Sequence, residues 1–158
     1  MPRLHSPLNA IDPQMGWINA PVHVHDLGGS PVLLHFWSIH CEPCVEQWPR
    51  LKPMLDCYQA RGLKVVGVHV PLQEDDLDTQ VVEEHVQALG LHYPVAVDDA
   101  SNSRSITLAH DVHAVPAFLL YDRGGVLRHY SAGPQALVTL EAALQRAVTE
   151  VEEQMAAP

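Results

Sequence analysis

A strand, a helix and a second strand follow one another closely in residues 31–70, and this order limits the fold more than any other feature of the chain. Residues 31–37 form an apolar run typical of a strand buried on both faces. A second apolar, β-branched strand is predicted over 63–70. The segment between them carries apolar side chains at helical spacing: Trp48, Leu51, Leu55 and Tyr58. Strand, helix and strand in this order predict a parallel crossover, and hence an α/β fold.

The remaining elements predicted along the chain fit a single domain, for which 158 residues is an ordinary length. Four of the thirteen prolines fall in residues 1–21, which we interpret as an extended arm. The domain is predicted over 22–153, with a tail over 154–158. In chain order the further elements are an acidic helix over 75–89, a strand over 93–97, a polar helix over 102–109, a hairpin of strands 117–121 and 126–130, and a closing helix over 135–153.

The charge of the chain argues against nucleic acid as a partner. Nineteen acidic side chains against nine Lys and Arg give a formal charge of −10. A phosphate backbone or an anionic bilayer would be repelled over most of such a surface. We expect a monomer with no membrane segment.

The first residues lack the pattern of a secretory leader, which needs a basic start followed by an apolar stretch. Pro2, His5, Pro7 and Asn9 interrupt that stretch. We therefore expect a cytoplasmic protein for the chain as given, and an extracytoplasmic one if a leader has been removed.

The motif Cys41-Glu-Pro-Cys44 lies between the first predicted strand and the helix that follows it. Free amides and the positive end of the dipole at a helix N-terminus stabilise a thiolate, which lowers the pKa of Cys41 from roughly 8.5 towards neutrality. Cys41 can then attack a disulfide as the nucleophile, and Cys44, one turn further on, can resolve the mixed disulfide. Pro43 falls in the first turn, where its missing N–H costs no hydrogen bond.

A metal site is the alternative interpretation of the same two cysteines. Zinc needs two further ligands, and the chain has no second Cys-x-x-Cys motif. His113 precedes Pro116 by three residues, so a soft metal such as copper or zinc held by Cys41, Cys44 and one histidine is the second hypothesis. The third cysteine, Cys57, is about 20 Å along the same helix from Cys44, and we expect a free, structural thiol there.

The segment from Phe36 to Cys44 (Phe-Trp-Ser-Ile-His-Cys-Glu-Pro-Cys) resembles the active-site signature of thioredoxin-like proteins, and Cys-Glu-Pro-Cys is similar to the TlpA/ResA branch. Residues 16–19 resemble the entry segment of DipZ-like proteins. The resemblance implies a thioredoxin fold: a mixed central sheet with helices on both faces, an N-terminal extension and an inserted helix–strand unit. It also implies a thiol–disulfide oxidoreductase that reduces protein disulfides, receives electrons from an upstream thiol reductant and uses no organic cofactor.

The same resemblance assigns a substrate-binding role to three residues away from the cysteines. Thioredoxin-like proteins have a cis proline facing the dithiol just before a strand, and Pro116 takes that place before residues 117–121. A cis X–Pro bond costs only about 0.5–1 kcal/mol. The main chain of Val115 is then free to pair with an extended substrate. Trp37, part of the same signature, is expected to contribute to the substrate surface.

Two histidines depart from the pattern of the family. His40 stands where a tryptophan usually precedes the first cysteine, and a cationic imidazole there would favour the Cys41 thiolate, while Glu42 opposes it. His35 stands where thioredoxin has a buried aspartate that exchanges protons with the second cysteine. His35 can do the same, or it can be a core histidine with no redox part. Gln47 stands where the TlpA/ResA branch often has a carboxylate, and we expect the neighbouring Glu46 to be solvated.

Three further interpretations concern parts of the chain outside this signature or other classes of protein. A peroxiredoxin-like nucleophile lies in a Thr-x-x-Cys setting, which Ser38-Ile-His-Cys41 matches only loosely. A non-catalytic interaction module is another possibility. The acidic run over 74–78 has no calcium-loop spacing, and we interpret it as a solvated helix start.

Overall fold

A computed structural model describes residues 1–99 and 101–156. These residues contain six strands and four α-helices. The strands are β1 (Trp17–Ile18), β2 (Val32–Trp37), β3 (Lys64–His69), β4 (Val95–Val97), β5 (Ala117–Tyr121) and β6 (Leu127–Ala132). The helices are α1 (Glu42–Gln59), α2 (Thr79–Ala88), α3 (Ile106–Ala109) and α4 (Leu137–Ala156).

The strands form one mixed sheet in the order β1-β4-β3-β2-β5-β6. β2 pairs parallel with β3 from Val32 opposite Lys64 to Trp37 opposite His69, so the predicted crossover through α1 is confirmed. β5 runs antiparallel to β2 and pairs Ala117 with Phe36. The start of β5 therefore lies beside the end of β2, which is the end that leads into the cysteine motif.

Apolar side chains cover both faces of the sheet because successive residues of a strand point to opposite sides. On one face Leu33 and Trp37 belong to a buried cluster with side chains of α1, α2 and α4. On the other face Leu34 and Phe36 belong to a second cluster with Ile106 of α3 and residues of the N-terminal segment. The predicted thioredoxin fold, with helices on both faces of a mixed sheet, is confirmed.

The N-terminal segment is more closely joined to the domain than an arm lying on the surface. Trp17 and Ile18 pair antiparallel with β4, and Ile11 is 1% exposed. Pro7 forms a bridge to Val126. The sheet thus begins inside the segment predicted as the arm, because Ile11 and Ile18 supply apolar side chains that the core buries.

Several element bounds differ from those predicted. The acidic stretch is divided into a 3-10 turn, Glu74–Leu77, and α2, whose N-terminus is capped by Asp78. The polar helix is reduced to α3, since the buried Asp98 binds its first amides and fixes where it begins. The closing helix extends to Ala156, inside the predicted tail.

Candidate active site

The two cysteines of the motif lie where β2 leads into α1. Cys41 is the N-cap residue of α1, and Cys44 lies in its first turn. Their sulfur atoms are joined as a disulfide, with 5.2 Å between the Cα atoms. Cys41 keeps 5% of its surface exposed, and Cys44 keeps none. Cys41 is therefore the sulfur that an approaching disulfide meets first.

The helix N-terminus acts directly on the Cys41 sulfur. The main-chain N–H of Cys44 donates a hydrogen bond to Cys41 Sγ across 3.3 Å. Pro43 lies in the same turn, as predicted, and has no N–H to leave unpaired. The remaining free amides and the positive end of the helix dipole are directed at Cys41. In the reduced protein this environment favours a thiolate at Cys41.

The Val115–Pro116 peptide bond is cis, as the sequence predicts. Pro116 immediately precedes β5, so the pairing of Ala117 with Phe36 sets it level with the end of β2. The Pro116 carbonyl accepts a hydrogen bond from the main-chain N–H of Gly133 at 2.8 Å. Val115 is half-buried, and Pro116 is buried. This loop lies beside the strand end from which Cys41 follows.

Trp37 is a core side chain. It is 1% exposed, and its ring stands perpendicular to Trp48 and nearly so to His69, with centroids 5.4 and 5.3 Å away. A Cβ at Gly67 on the adjacent strand would lie 3.4 Å from Trp37 Nε1, so the backbone of that strand also packs close to the indole. The prediction that Trp37 contacts the substrate is therefore wrong, since packing covers the indole.

His35 is buried on the same face of the sheet as the α1 helix. Its ring is fully buried, stacked on Phe118 and edge-on to Trp48. Neither ring nitrogen has a hydrogen-bond partner among the described residues. Burial lowers the pKa of His35 to about 3, so the imidazole is neutral at physiological pH. Its two predicted roles, proton relay and inert core residue, both remain predictions.

His40 is paired with a carboxylate that was expected in solvent. His40 Nδ1 is hydrogen-bonded to Asp76 Oδ1, and the Asp76 side chain is fully buried while 36% of the His40 side chain is exposed. Asp76 Oδ2 accepts hydrogen bonds from the N–H groups of Leu72 and Gln73, at 2.8 and 3.2 Å, and from the Ser38 hydroxyl at 3.3 Å.

The prediction of a solvated helix start is thus wrong for Asp76. The 3-10 turn Glu74–Leu77 directs its side chain inward, under the loop that precedes Cys41. Burial by itself raises the pKa of Asp76, but hydrogen bonds from Leu72, His40 and Gln73 outweigh it and hold the pKa below its ordinary value. Asp76 is therefore a buried carboxylate that stays ionised.

His69, at the end of β3, is a second residue that the sequence did not single out. Its Nε2 accepts a hydrogen bond from the main-chain N–H of Ile39 at 3.1 Å, which assigns the ring proton to Nδ1. Burial lowers the pKa of His69 to about 4. A neutral, buried imidazole therefore anchors the loop before Cys41. Its place at the carboxyl end of the strand beside β2 is the signal that could have indicated it.

Gln47 and Glu46 occupy different surroundings on α1. Gln47 is 7% exposed, and its Nε2 donates to the carbonyl oxygens of Gly133 and Pro134 at 3.3 and 3.5 Å. Gln47 thus ties α1 to the segment that leads into α4. Glu46 is exposed, as predicted.

The structure gives no support to the metal hypothesis. His113 is exposed and binds Asp111 at 2.6 Å, and Asp111 also binds the amino group of Met1. Among residues 1–99 and 101–156, no three side chains of His, Cys, Asp or Glu are grouped so as to hold a metal ion.

Cys57 is free, as predicted, but it is not a structural thiol. The residue is exposed on α1 and has no disulfide partner among the described residues. Its place on the outer side of the helix leaves it accessible to reagents.

The chain is similar to known thiol-disulfide oxidoreductases, and to one of them over nearly its whole length. The thiol-disulfide oxidoreductase YkuV of Bacillus subtilis (strain 168) is 35% identical over 151 residues, which cover 95% of this chain and 99% of that protein. The thiol-disulfide oxidoreductase ResA of Bacillus thuringiensis (strain Al Hakam) is 28% identical over 125 residues, which cover 79% and 68%.

A solved structure agrees with these relatives. The solution structure of a thioredoxin-like protein in the oxidized form superposes with a TM-score of 0.82 at 36% identity, covering 94% of this chain and 98% of that one. The fold and the paired cysteines define a thioredoxin-like protein. Residues 11–130 match the AhpC/TSA family, and the chain belongs to that family.

None of the helices in the described part of the chain is both long and apolar enough to span a bilayer.

Proposed function

We propose that the protein is a thiol–disulfide oxidoreductase that reduces disulfides of protein substrates with the dithiol of Cys41 and Cys44. The observation that supports this most strongly is the disulfide between an N-cap sulfur and a buried sulfur one helical turn further on. The metal alternative is not pursued, because the described residues offer no ligand set around these sulfurs.

The reaction begins on the Cys41 side. The Cys41 thiolate attacks one sulfur of the substrate disulfide, so that a mixed disulfide forms and the other substrate sulfur leaves as a thiolate that takes up a proton. Cys44 then loses its proton and attacks Cys41 Sγ, which releases the second substrate sulfur. Two electrons pass to the substrate, and the protein is left with the Cys41–Cys44 disulfide.

The proton on Cys44 needs an acceptor, because this thiol is fully buried. His35 lies on the face of the sheet that α1 covers, and its two ring nitrogens have no partner among the described residues. With its pKa lowered to about 3 by burial, His35 is a neutral imidazole with a free acceptor nitrogen. We assign it a relay role in the resolving step: the Cys44 proton passes by way of His35 to the departing substrate thiolate and is not held on the imidazole, which is too weak a base to keep it.

The substrate is held by the loop at Val115 and Pro116. The cis bond and the half-buried Val115 lie level with the end of β2, beside the segment that carries Cys41. An extended substrate segment can pair with the main chain of Val115 there, as peptides pair with an exposed strand edge.

The dithiol is regenerated by an upstream thiol reductant, which repeats the same exchange in the opposite direction. All electrons pass through sulfur, so turnover requires no organic cofactor. A monomer is sufficient, because Cys41, Cys44, Val115 and Pro116 all come from one chain.

A reduction assay tests this function. We expect the purified protein to accelerate the reduction of insulin disulfides by dithiothreitol, followed by turbidity. Cys41→Ser should abolish the acceleration, because it removes the nucleophile. The matched control is Cys57→Ser, which removes an exposed thiol on the same helix and should keep full activity. Equal rates for wild type and Cys41→Ser would contradict the proposal.

A further inference from the structure

Two side chains from other parts of the chain, those of Asp76 and His69, bind the loop of residues 38–40. The Ser38 hydroxyl and the His40 ring both bind Asp76, and the Ile39 N–H binds His69. The loop ends at Cys41, whose own N–H donates to the Ser38 carbonyl at 3.2 Å. The position of the residue before the nucleophile therefore depends on Asp76.

The His40 side chain is placed where it can balance the negative charge of the buried Asp76 carboxylate. A fully buried carboxylate is costly unless its oxygens are bonded and its charge is balanced. Amides and a hydroxyl occupy Oδ2, and these donors are neutral. Among the described residues, the His40 ring at Oδ1 is a neighbour that can supply a positive charge.

Other titratable groups near the pair contribute differently. His69 is buried, and burial lowers its pKa to about 4, so it stays neutral at physiological pH. His85 on α2 is exposed and acts on His69 at a distance. Glu42, the exposed residue after Cys41, brings a negative charge.

We propose that Asp76 is a positioning residue of the redox site: it holds the His40 imidazole in place next to Cys41, and so stabilises the Cys41 thiolate through His40. This inference rests on the proposed role of Cys41 as nucleophile. Asp76 contacts the segment before Cys41 at the His40 ring and at the Ser38 hydroxyl, and His40 is the covalent neighbour of Cys41.

The direction in which the reactivity of Cys41 changes distinguishes this indirect role of Asp76 from a direct action of the carboxylate on Cys41. A carboxylate acting directly on Cys41 would oppose the thiolate, and its removal would make Cys41 more reactive. A carboxylate acting through His40 has the opposite effect, because its removal also frees the imidazole to move away from Cys41.

The test is the rate at which iodoacetamide alkylates Cys41 in the reduced Cys57→Ser protein, measured from pH 5 to 9. We expect Asp76→Asn to lower the rate at pH 6 about threefold to tenfold, since a pKa change of one alters the thiolate fraction tenfold. In a His40→Asn background, Asp76→Asn should leave the rate unchanged or raise it. The same decrease in both backgrounds, or no decrease in the first, would overturn the inference.

Two controls complete the design. Asp78→Asn removes an exposed carboxylate two residues further on, which caps α2, and should not move the alkylation profile. If circular dichroism shows that Asp76→Asn does not fold, the test uses His40→Gln, which changes a partly exposed side chain. An unaltered rate of Cys41 alkylation at pH 6 in this variant overturns the inference. Formation of the Cys41–Cys44 disulfide is measured separately, so a failure of the proposed function is distinguished from a failure of this inference.

Discussion

The imidazole of His35 is stacked on the ring of Phe118, with 4.5 Å between centroids and 4° between planes. Phe118 pairs with His35 across β2 and β5, so the two rings face each other inside the core. Burial lowers the pKa of His35 to about 3, well below its ordinary 6.5. A proton is therefore bound at this site far more readily in the unfolded chain than in the folded one.

Stability is accordingly expected to fall as the pH falls from 6.5 to about 4.5. Each histidine that is protonated only when unfolded lowers the free energy of unfolding by about 1.4 kcal/mol per pH unit below its unfolded pKa. His35 and His69, with pKa values of about 3 and 4, both act in this window. Urea unfolding of the oxidised protein at several pH values measures the slope.

A substitution of His35 measures how much of the pH dependence of the free energy of unfolding comes from this residue. We expect His35→Leu to reduce the slope by about 1.4 kcal/mol per pH unit, which corresponds to one proton. The exposed His92 provides the control, because His92→Asn should leave the slope unchanged. A wild-type slope in His35→Leu would show that His35 is protonated in the folded protein.

Cys44→Ser should trap the substrate. Without the resolving thiol, the mixed disulfide on Cys41 has no intramolecular route to release. We expect disulfide-linked adducts of Cys44→Ser with insulin chains on non-reducing gels, and none with the double variant Cys41→Ser and Cys44→Ser. Adducts mapped to Cys57 by mass spectrometry would contradict the assignment of Cys41 as nucleophile.

Asp98 is expected to be the carboxylate most important for stability near α3. It is fully buried and accepts hydrogen bonds from the N–H groups of Ile106 and Thr107 and from the hydroxyls of Ser105 and Thr107. Asp98→Ala leaves these donors unpaired and should cost about 3 kcal/mol or more. Asp78→Ala removes an exposed cap and should cost about 1 kcal/mol. Equal losses in the free energy of unfolding for the two variants, measured in urea, would contradict the conclusion that burial makes Asp98 the more important carboxylate.

Peroxide consumption is expected to be no faster than that of a free thiol. The residue three positions before Cys41 is Ser38, and its hydroxyl is already engaged, donating to Asp76 and accepting from the His40 N–H. It is therefore not free to bind a peroxide. Loss of hydrogen peroxide with excess dithiothreitol should match a Cys41→Ser control, and a rate well above it would favour the peroxiredoxin-like alternative.

The parts of the site that could be predicted are those that depend on local sequence. The helix N-terminus at Cys41 follows from the order of strand, motif and amphipathic helix. Pro116 follows from its place before a strand in the family signature. The first prediction uses neighbours in the chain, and the second uses the resemblance to thioredoxin-like proteins.

The parts that could not be predicted depend on contacts between distant segments. Asp76 lies in an acidic run that has the composition of a solvated surface, and only the donors from Ser38, His40 and the turn itself account for its burial. Trp37 belongs to the signature, but its burial depends on packing against Trp48 and His69, which lie on other elements. The role of His69 could not be predicted for the same reason, because its hydrogen-bond partner is an amide 30 residues away in the chain.

The central claim is that Cys41 and Cys44 form a reversible two-electron couple, and a redox titration tests it most directly. The purified protein is equilibrated in buffers of reduced and oxidised glutathione, free thiols are alkylated, and the labelled residues are mapped by mass spectrometry. We predict that Cys41 and Cys44 lose their labels together in a single transition with two electrons, while Cys57 is labelled throughout. A pair that never closes, or closes only after a chelator is added, would contradict the account.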